Sequence, residues 1–126
     1  MAEVYSQVGK LEEALRVLNE AFDILEATGA RYAEAELYRI KGELLHKQAA
    51  EPREVEHHFL HALAIARKQE AKSPELRATL SLSKLWQQQG RSQDARALLA
   101  EIYGWFTEGF DTPDLVDARF LLEELS

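Results

Sequence analysis

Gly90-Arg91-Ser92-Gln93-Asp94-Ala95 reads as the end of one helix and the start of the next. A glycine can leave the helical conformation, Ser92 can cap the following helix, and Ala95 is a small residue for a packed face. The same order of residue types stands near the start of the chain as Gly9-Lys10-Leu11-Glu12-Glu13-Ala14. Two such junctions far apart call for a search for a repeat before any fold is assigned.

Aligning Ala14, Val55 and Ala95 gives intervals of 41 and 40 residues. Three further rows follow without adjustment: Leu18, Phe59 and Leu99; Ala21, Ala62 and Ile102; Leu25, Ala66 and Phe106. On the preceding helices Tyr5, Leu45 and Trp86 align, as do Ala2, Gly42 and Ser83, at intervals of 40 and then 41. The exchange of 41 for 40 places one extra residue in the middle turn, around Ala49-Ala50-Glu51. A turn absorbs such an insertion while the flanking helices keep register.

The punctuation between the rows is helical. Leu11, Ala14, Leu15, Leu18, Ala21, Phe22 and Leu25 step by three and four up to Thr28-Gly29. Further helices are expected through Tyr38 and Leu45 to about Gln48, and from Pro52 to about Gln69. Pro52 suits a first turn, where a missing N–H costs nothing. Ser73 is expected to cap a helix to about Gln89, Ser92 one to about Thr107, and Thr112-Pro113 to open a last one to Leu125. No segment alternates with period two, so no sheet is expected.

These rows resemble the tetratricopeptide repeat (TPR), in which a small and then a large residue on one helix meet a small–aromatic–small series on the next. The resemblance covers nearly the whole chain, although its period exceeds the usual roughly 34 residues, so each helix must run longer. It implies an all-α fold, a right-handed superhelical stack of antiparallel helix pairs (an α-solenoid). The expected division is a single domain over 1–126: a truncated first repeat at 1–28, a second at 31–70, a third at 74–108 and a capping helix at 112–125. Glu36–Leu45 and Ala62–Arg67 further resemble the C-terminal helical-repeat regions of large bacterial multidomain signalling proteins, built on ATPase, cyclase or transcriptional-regulator domains. The first helix looks cut. On the last, Leu115, Ala118, Leu122 and Leu125 share a face that Val116, Phe120 and Leu121 widen, which predicts homodimerisation or docking through this end.

In such stacks the first helices line a groove that receives a peptide or domain. The register assigns to it Glu36, Arg39, Glu43, His46 and Lys47 from the second pair, and Arg77, Leu80, Lys84, Gln87 and Gln88 from the third. The lining is mixed, with a basic tendency toward the third pair. It lacks the asparagine-and-lysine carboxylate clamp of chaperone-binding members. The expected function is a protein-interaction scaffold, part of a larger regulator, whose partner is a protein, a peptide or other domains of the same parent chain.

The alternative is a generic helical bundle with a metal or small-molecule site at His57 and His61, four residues apart on one helical face. His58 stands where the zinc-metalloprotease helix needs glutamate, and a catalytic zinc usually takes three protein ligands. The register puts both histidines on an outer, solvated helix. Tyr5, Phe22, Phe59 and Trp86 fall in buried rows, while Trp105, Phe106 and Phe110 suggest a latch for the capping helix. Truncating Phe59 is expected to be costly and truncating Arg67 nearly neutral.

Composition narrows the classes. The 126 residues are 46% hydrophobic and 29% charged, with no apolar run long enough to span a bilayer, so neither disorder nor a membrane protein is expected. A net charge of -7 disfavours nucleic acid and anionic lipid. The absence of cysteine removes disulfides, thiolate zinc sites and cysteine nucleophiles. No phosphate loop, nucleophile elbow or Walker-type lysine occurs, so no enzyme activity and no cofactor are expected. The N-terminus lacks a signal-peptide layout, and a cytoplasmic location is expected.

Overall fold

Three chain reversals close in the same way, and they cut the chain into helices. In each, a residue of positive φ follows the helix, its N–H bonds back three residues and the next N–H bonds back five, the Schellman arrangement that satisfies the last carbonyls. Ala49 (φ 58°) donates to the His46 carbonyl at 3.0 Å and Ala50 to that of Leu45 at 3.0 Å. Gly90 (φ 78°) and Arg91 do the same to Gln87 and Trp86, and Glu70 (φ 55°) and Ala71 to Arg67 and Ala66. Ala49 and Gly90 are register equivalents, but the connections that hold them run over 48–51 and 89–91. The extra residue therefore lies in the first of these turns, as its spacing predicts.

The computed structural model describes the backbone of residues 2–29 and 31–126, and the side chains of residues 9–29 and 31–126. The helices are α1 (Ala2–Thr28), α2 (Glu34–Lys47), α3 (Pro52–Lys68), α4 (Lys72–Gln88), α5 (Ser92–Tyr103) and α6 (Pro113–Leu125), with a 3-10 turn at Arg31–Ala33. No strand occurs among the described residues. Each helix packs against its successor, and α4 also packs against α2 and α6. No described helix is long and apolar enough to cross a membrane.

Most members of the aligned rows form the interior, while Ala14, Ala21, Leu45, Trp86 and Phe106 are half-buried. Val55, Ala62, Ala66, Ala95 and Leu99 are completely enclosed, and Leu18, Leu25, Phe59 and Ile102 nearly so. One core joins Val55, Phe59, Ala62 and Leu63 of α3 to Ala78, Leu82 and Leu85 of α4. A second joins Leu76 and Leu80 of α4 to Leu99 and Ile102 of α5 and to Leu115, Ala118 and Leu121 of α6. α4 thus contributes to both, and burial of each large side chain stabilises the fold by roughly 1.5–3 kcal/mol. Small residues set the helix spacing: Gly42 and Ser83, equivalents on α2 and α4, are both buried.

Several local expectations need correction. The chain does not turn at Gly9, and α1 runs through it. A glycine costs a helix about 1 kcal/mol without breaking its hydrogen bonds, and no proline stands nearby to stop it. The rows assigned to Ala2 and Tyr5 concern side chains outside the described residues. Neither Ser73 nor Ser92 caps a helix: Ala71 and Arg91 hold those positions, and no side-chain cap bond forms at either. α5 ends at Tyr103 rather than near Thr107. Phe22 and Trp86 are half-buried, and Leu121, rather than Leu122 or Leu125, joins Leu115 as a deeply buried leucine of α6. Phe106 packs on the second core; Trp105 and Phe110 are exposed, Trp105 edge-on to Phe106 at 5.1 Å and Phe110 against Tyr103 at 5.7 Å between ring centroids.

Candidate functional site

Side chains of α2, α4 and α6 meet on one polar surface. Arg39 grips the Glu36 carboxylate with two parallel bonds, Nε to Oε1 at 3.0 Å and Nη2 to Oε2 at 3.1 Å. Arg77 reaches the same carboxylate from α4 at 3.3 Å and Asp114 of α6 at 3.1 Å. Two more steps run along the α4–α6 seam: Lys84 to Asp117 at 2.8 Å and Gln87 to Glu124 at 3.3 Å. Burial opposes ionisation of Glu36, but the bonds and charges of Arg39 and Arg77 outweigh it and hold its carboxyl below the ordinary range.

Two clefts open on this surface. The first, about 140 Å³, is lined by Arg39, Glu43, Arg77, Leu80, Ser81, Lys84, Asp114 and Asp117. The second, about 110 Å³, is lined by Glu43, His46, Phe59, Ser81, Lys84, Leu85 and Gln88. Both fall short of the roughly 300 Å³ at which small-molecule pockets begin. They can take single side chains of a partner.

Most of the residues expected in the groove are therefore neighbours, with three differences. Leu80 belongs to the core beneath α6 and is 5% exposed. Lys47 lies elsewhere, in a separate groove with Lys10, Leu11, Ala14 and Leu44. The basic tendency of the third pair is cancelled, because Asp114 and Asp117 pair with Arg77 and Lys84. Sequence reasoning missed these acids by reading α6 only as a capping helix through its apolar face. Arg77 and Lys84, seven apart on one helix, gave half of the signal; which helix would face them depended on docking.

A second cluster escaped the sequence reading. The Trp86 indole Nε1 donates to Glu56 Oε1 at 2.7 Å, and Arg91 donates to the same oxygen at 3.2 Å while lying over the indole at 4.4 Å from its centroid. A cation over an aromatic face is attracted to it, so α3, α4 and the turn after α4 are tied through one carboxylate.

The imidazoles of His57 and His61 lie 6.2 Å apart, centre to centre, and His61 packs against Tyr38 at 4.1 Å. Among the described residues no group of three or more His, Cys, Asp or Glu side chains converges where a metal could be held. Between these two, His58 is half-buried.

Helices stacked in sequence around two apolar cores, with a charged seam across every second one, define an all-helical protein. Comparison with protein-family models, with curated proteins and with solved structures returned no match.

Proposed function

We propose that this chain is a solenoid of tetratricopeptide type that serves as a protein-interaction scaffold within a larger bacterial signalling or regulatory protein. In this reading α2–α3 and α4–α5 are successive repeats, α1 is the second helix of a truncated one, and α2, α4 and α6 line the receiving surface. The supporting observation is the contact of α4 with both α2 and α6, which sets alternate helices side by side.

The chemistry of that surface constrains the partner. Arg39, Arg77 and Lys84 are already matched by Glu36, Asp114 and Asp117, so a partner must offer replacement carboxylates, while Glu43 has no ion pair among the described residues. Partly exposed ion pairs contribute about 0–1 kcal/mol each, so the exchange costs little. A peptide segment carrying carboxylates toward Arg77 and Lys84 and an amine or guanidinium toward Glu43 fits.

A displayed peptide library selected on the full chain, then measured against Arg77→Glu and Lys84→Glu, tests this. Selected peptides are expected to lose at least about tenfold in affinity for either variant, as when one partner of a charged contact is reversed. Selection that yields only peptides indifferent to both changes contradicts the groove.

A further inference from the structure

A further cleft, of about 590 Å³, opens where the turn between α3 and α4 meets the end of α5, and it shares no residue with the α2–α4–α6 surface. Unlike the two clefts of that surface, it has the size of a ligand pocket. One wall is the indole of Trp105, 55% exposed. Backbone and ring both fix its position. The N–H groups of Trp105 and Phe106 donate to the carbonyls of Ile102 and Tyr103 in the last turn of α5, and the indole stands perpendicular to the Phe106 ring, which packs on the second core. The rest of the lining is charged. Arg67 and Lys72 stand against Glu70, Glu75 and Glu101, so the cleft carries one negative charge in excess.

The chain already places a cation in this cleft. The Lys72 ammonium lies 5.3 Å from the centre of the Trp105 ring and 3.4 Å from Oε1 of Glu75, whose other oxygen has Arg67 at the same distance. An indole face attracts a cation, most strongly where water is excluded. Both contacts to Glu75 are longer than the roughly 2.7–2.9 Å of a well-formed charged hydrogen bond, so Lys72 is held loosely. Its side chain is 35% exposed and has a way out to solvent. Glu70 and Glu101 have no cationic partner among the described residues.

We propose that this cleft receives the guanidinium of an arginine side chain from a bound peptide, which displaces the Lys72 ammonium from the Trp105 face and pairs with the carboxylates of Glu101 and Glu70. Glu75 keeps Arg67 in the exchange. Shape favours guanidinium over ammonium: its plane lies flat on an indole and its fork meets a carboxylate with two parallel bonds, where an ammonium is a point charge. Lys72 acts as a resident competitor, which sets the affinity by the fraction of time it leaves the ring.

Titration of the isotope-labelled full chain with the blocked tripeptide acetyl-Gly-Arg-Gly-amide, at about 0.15 M salt to screen general attraction, tests this by nuclear magnetic resonance. The Trp105 indole N–H and the backbone amides of Glu70, Ala71 and Lys72 are expected to shift saturably. The indole of Trp86, whose face Arg91 already covers, is expected to stay in place. Trp105→Ala and Glu101→Gln, both at exposed positions, should weaken binding at least about fivefold, read at the same backbone amides. Lys72→Ala should tighten it at least about threefold by removing the competitor. The same tripeptide with citrulline in place of arginine should not bind. Shifts that never saturate, equal binding of the citrulline peptide, or an affinity unmoved by Trp105→Ala overturns the site. A lysine tripeptide that binds as tightly overturns the choice of guanidinium, and methylguanidinium that binds as tightly overturns the peptide as its source. Helicity, measured on the same samples, shows that each variant is folded.

Discussion

The Phe59 ring occupies the space that a side chain on residue 42 would need: a Cβ built on Gly42 lies 2.6 Å from Cε1 and 2.8 Å from Cδ1 of that ring. Gly42 is therefore glycine for its neighbour's sake. α2 accepts a residue that costs a helix about 1 kcal/mol relative to alanine, and α3 gains a complete enclosure for its aromatic.

Gly42→Ala is expected to destabilise the chain by about 1–3 kcal/mol, as overpacking does, despite the better helix propensity of alanine. Phe59→Ala is expected to cost about 3–5 kcal/mol. Because the two residues share one space, Gly42→Ala should be tolerated in a Phe59→Leu background far better than in the wild type. Urea unfolding of the four proteins measures the coupling, and strict additivity would contradict the contact.

Ala49 and Gly90 hold the same place in equivalent turns, both at positive φ, but only one is glycine. A side chain in this left-handed region costs roughly 1–2 kcal/mol, partly offset by the greater freedom glycine has when unfolded. Ala49→Gly is expected to stabilise by about 0.5–1 kcal/mol, and Gly90→Ala to destabilise by about as much. Thermal unfolding reads both. A loss of stability in Ala49→Gly would mean that the two turns are not equivalent.

Arg67 looked dispensable from its place on an outer helix. In the structure it pairs with Glu75, which is 6% exposed, at 3.4 Å, and Lys72 approaches the other carboxylate oxygen at the same distance. Arg67→Ala is expected to cost about 1 kcal/mol, the scale of one net hydrogen bond. Adding Lys72→Ala should cost more than the two single changes together, since either alone leaves Glu75 one cation. A neutral double variant contradicts this.

His58 has Nδ1 shut off from water without a hydrogen-bond partner. Its pKa is lowered, first by burial, then by Lys41 of α2 and by His57; Glu54 works the other way, and His61 adds a smaller lowering. The unfolded chain thus binds a proton at this residue near the ordinary value of about 6.5, before the folded chain does. The resulting stability is complete above that value and is lost as pH falls through the lower folded one. Between about pH 7 and pH 5, wild type should lose more stability than His58→Gln, as measured by urea unfolding at each pH. Parallel curves would contradict the shift.

The second-helix rows were legible because small and apolar residues recur there at a nearly constant interval, and burial follows them on α3 and α5 from Val55 to Ile102, with Leu18 and Leu25 buried on α1. The inserted residue near Ala50 was legible for the same reason. Gly9 misled because glycine permits a turn without enforcing one. Ser73 and Ser92 misled because the backbone closures at Ala71 and Arg91 already end the preceding helices and fix where the next begin. Of the groove, periodicity gave the faces of α2 and α4, but the charges opposite depend on how α6 docks. The nine-residue connection 104–112 before it carries no register. The pairing of Glu56 with Trp86 and Arg91 likewise depends on side-chain reach across three elements.

The central claim is one helix-pair register, used twice and set side by side. A nuclear Overhauser spectrum of the isotope-labelled full chain tests it most directly. The account predicts cross-peaks from the Gly42 Hα protons to the Phe59 ring, from Ser83 Hβ to Ala95, and from the Leu80 methyls to those of Leu115. A Phe59 ring in contact with other residues but not with Gly42, or Leu80 methyls in contact with no residue of α6, would contradict it.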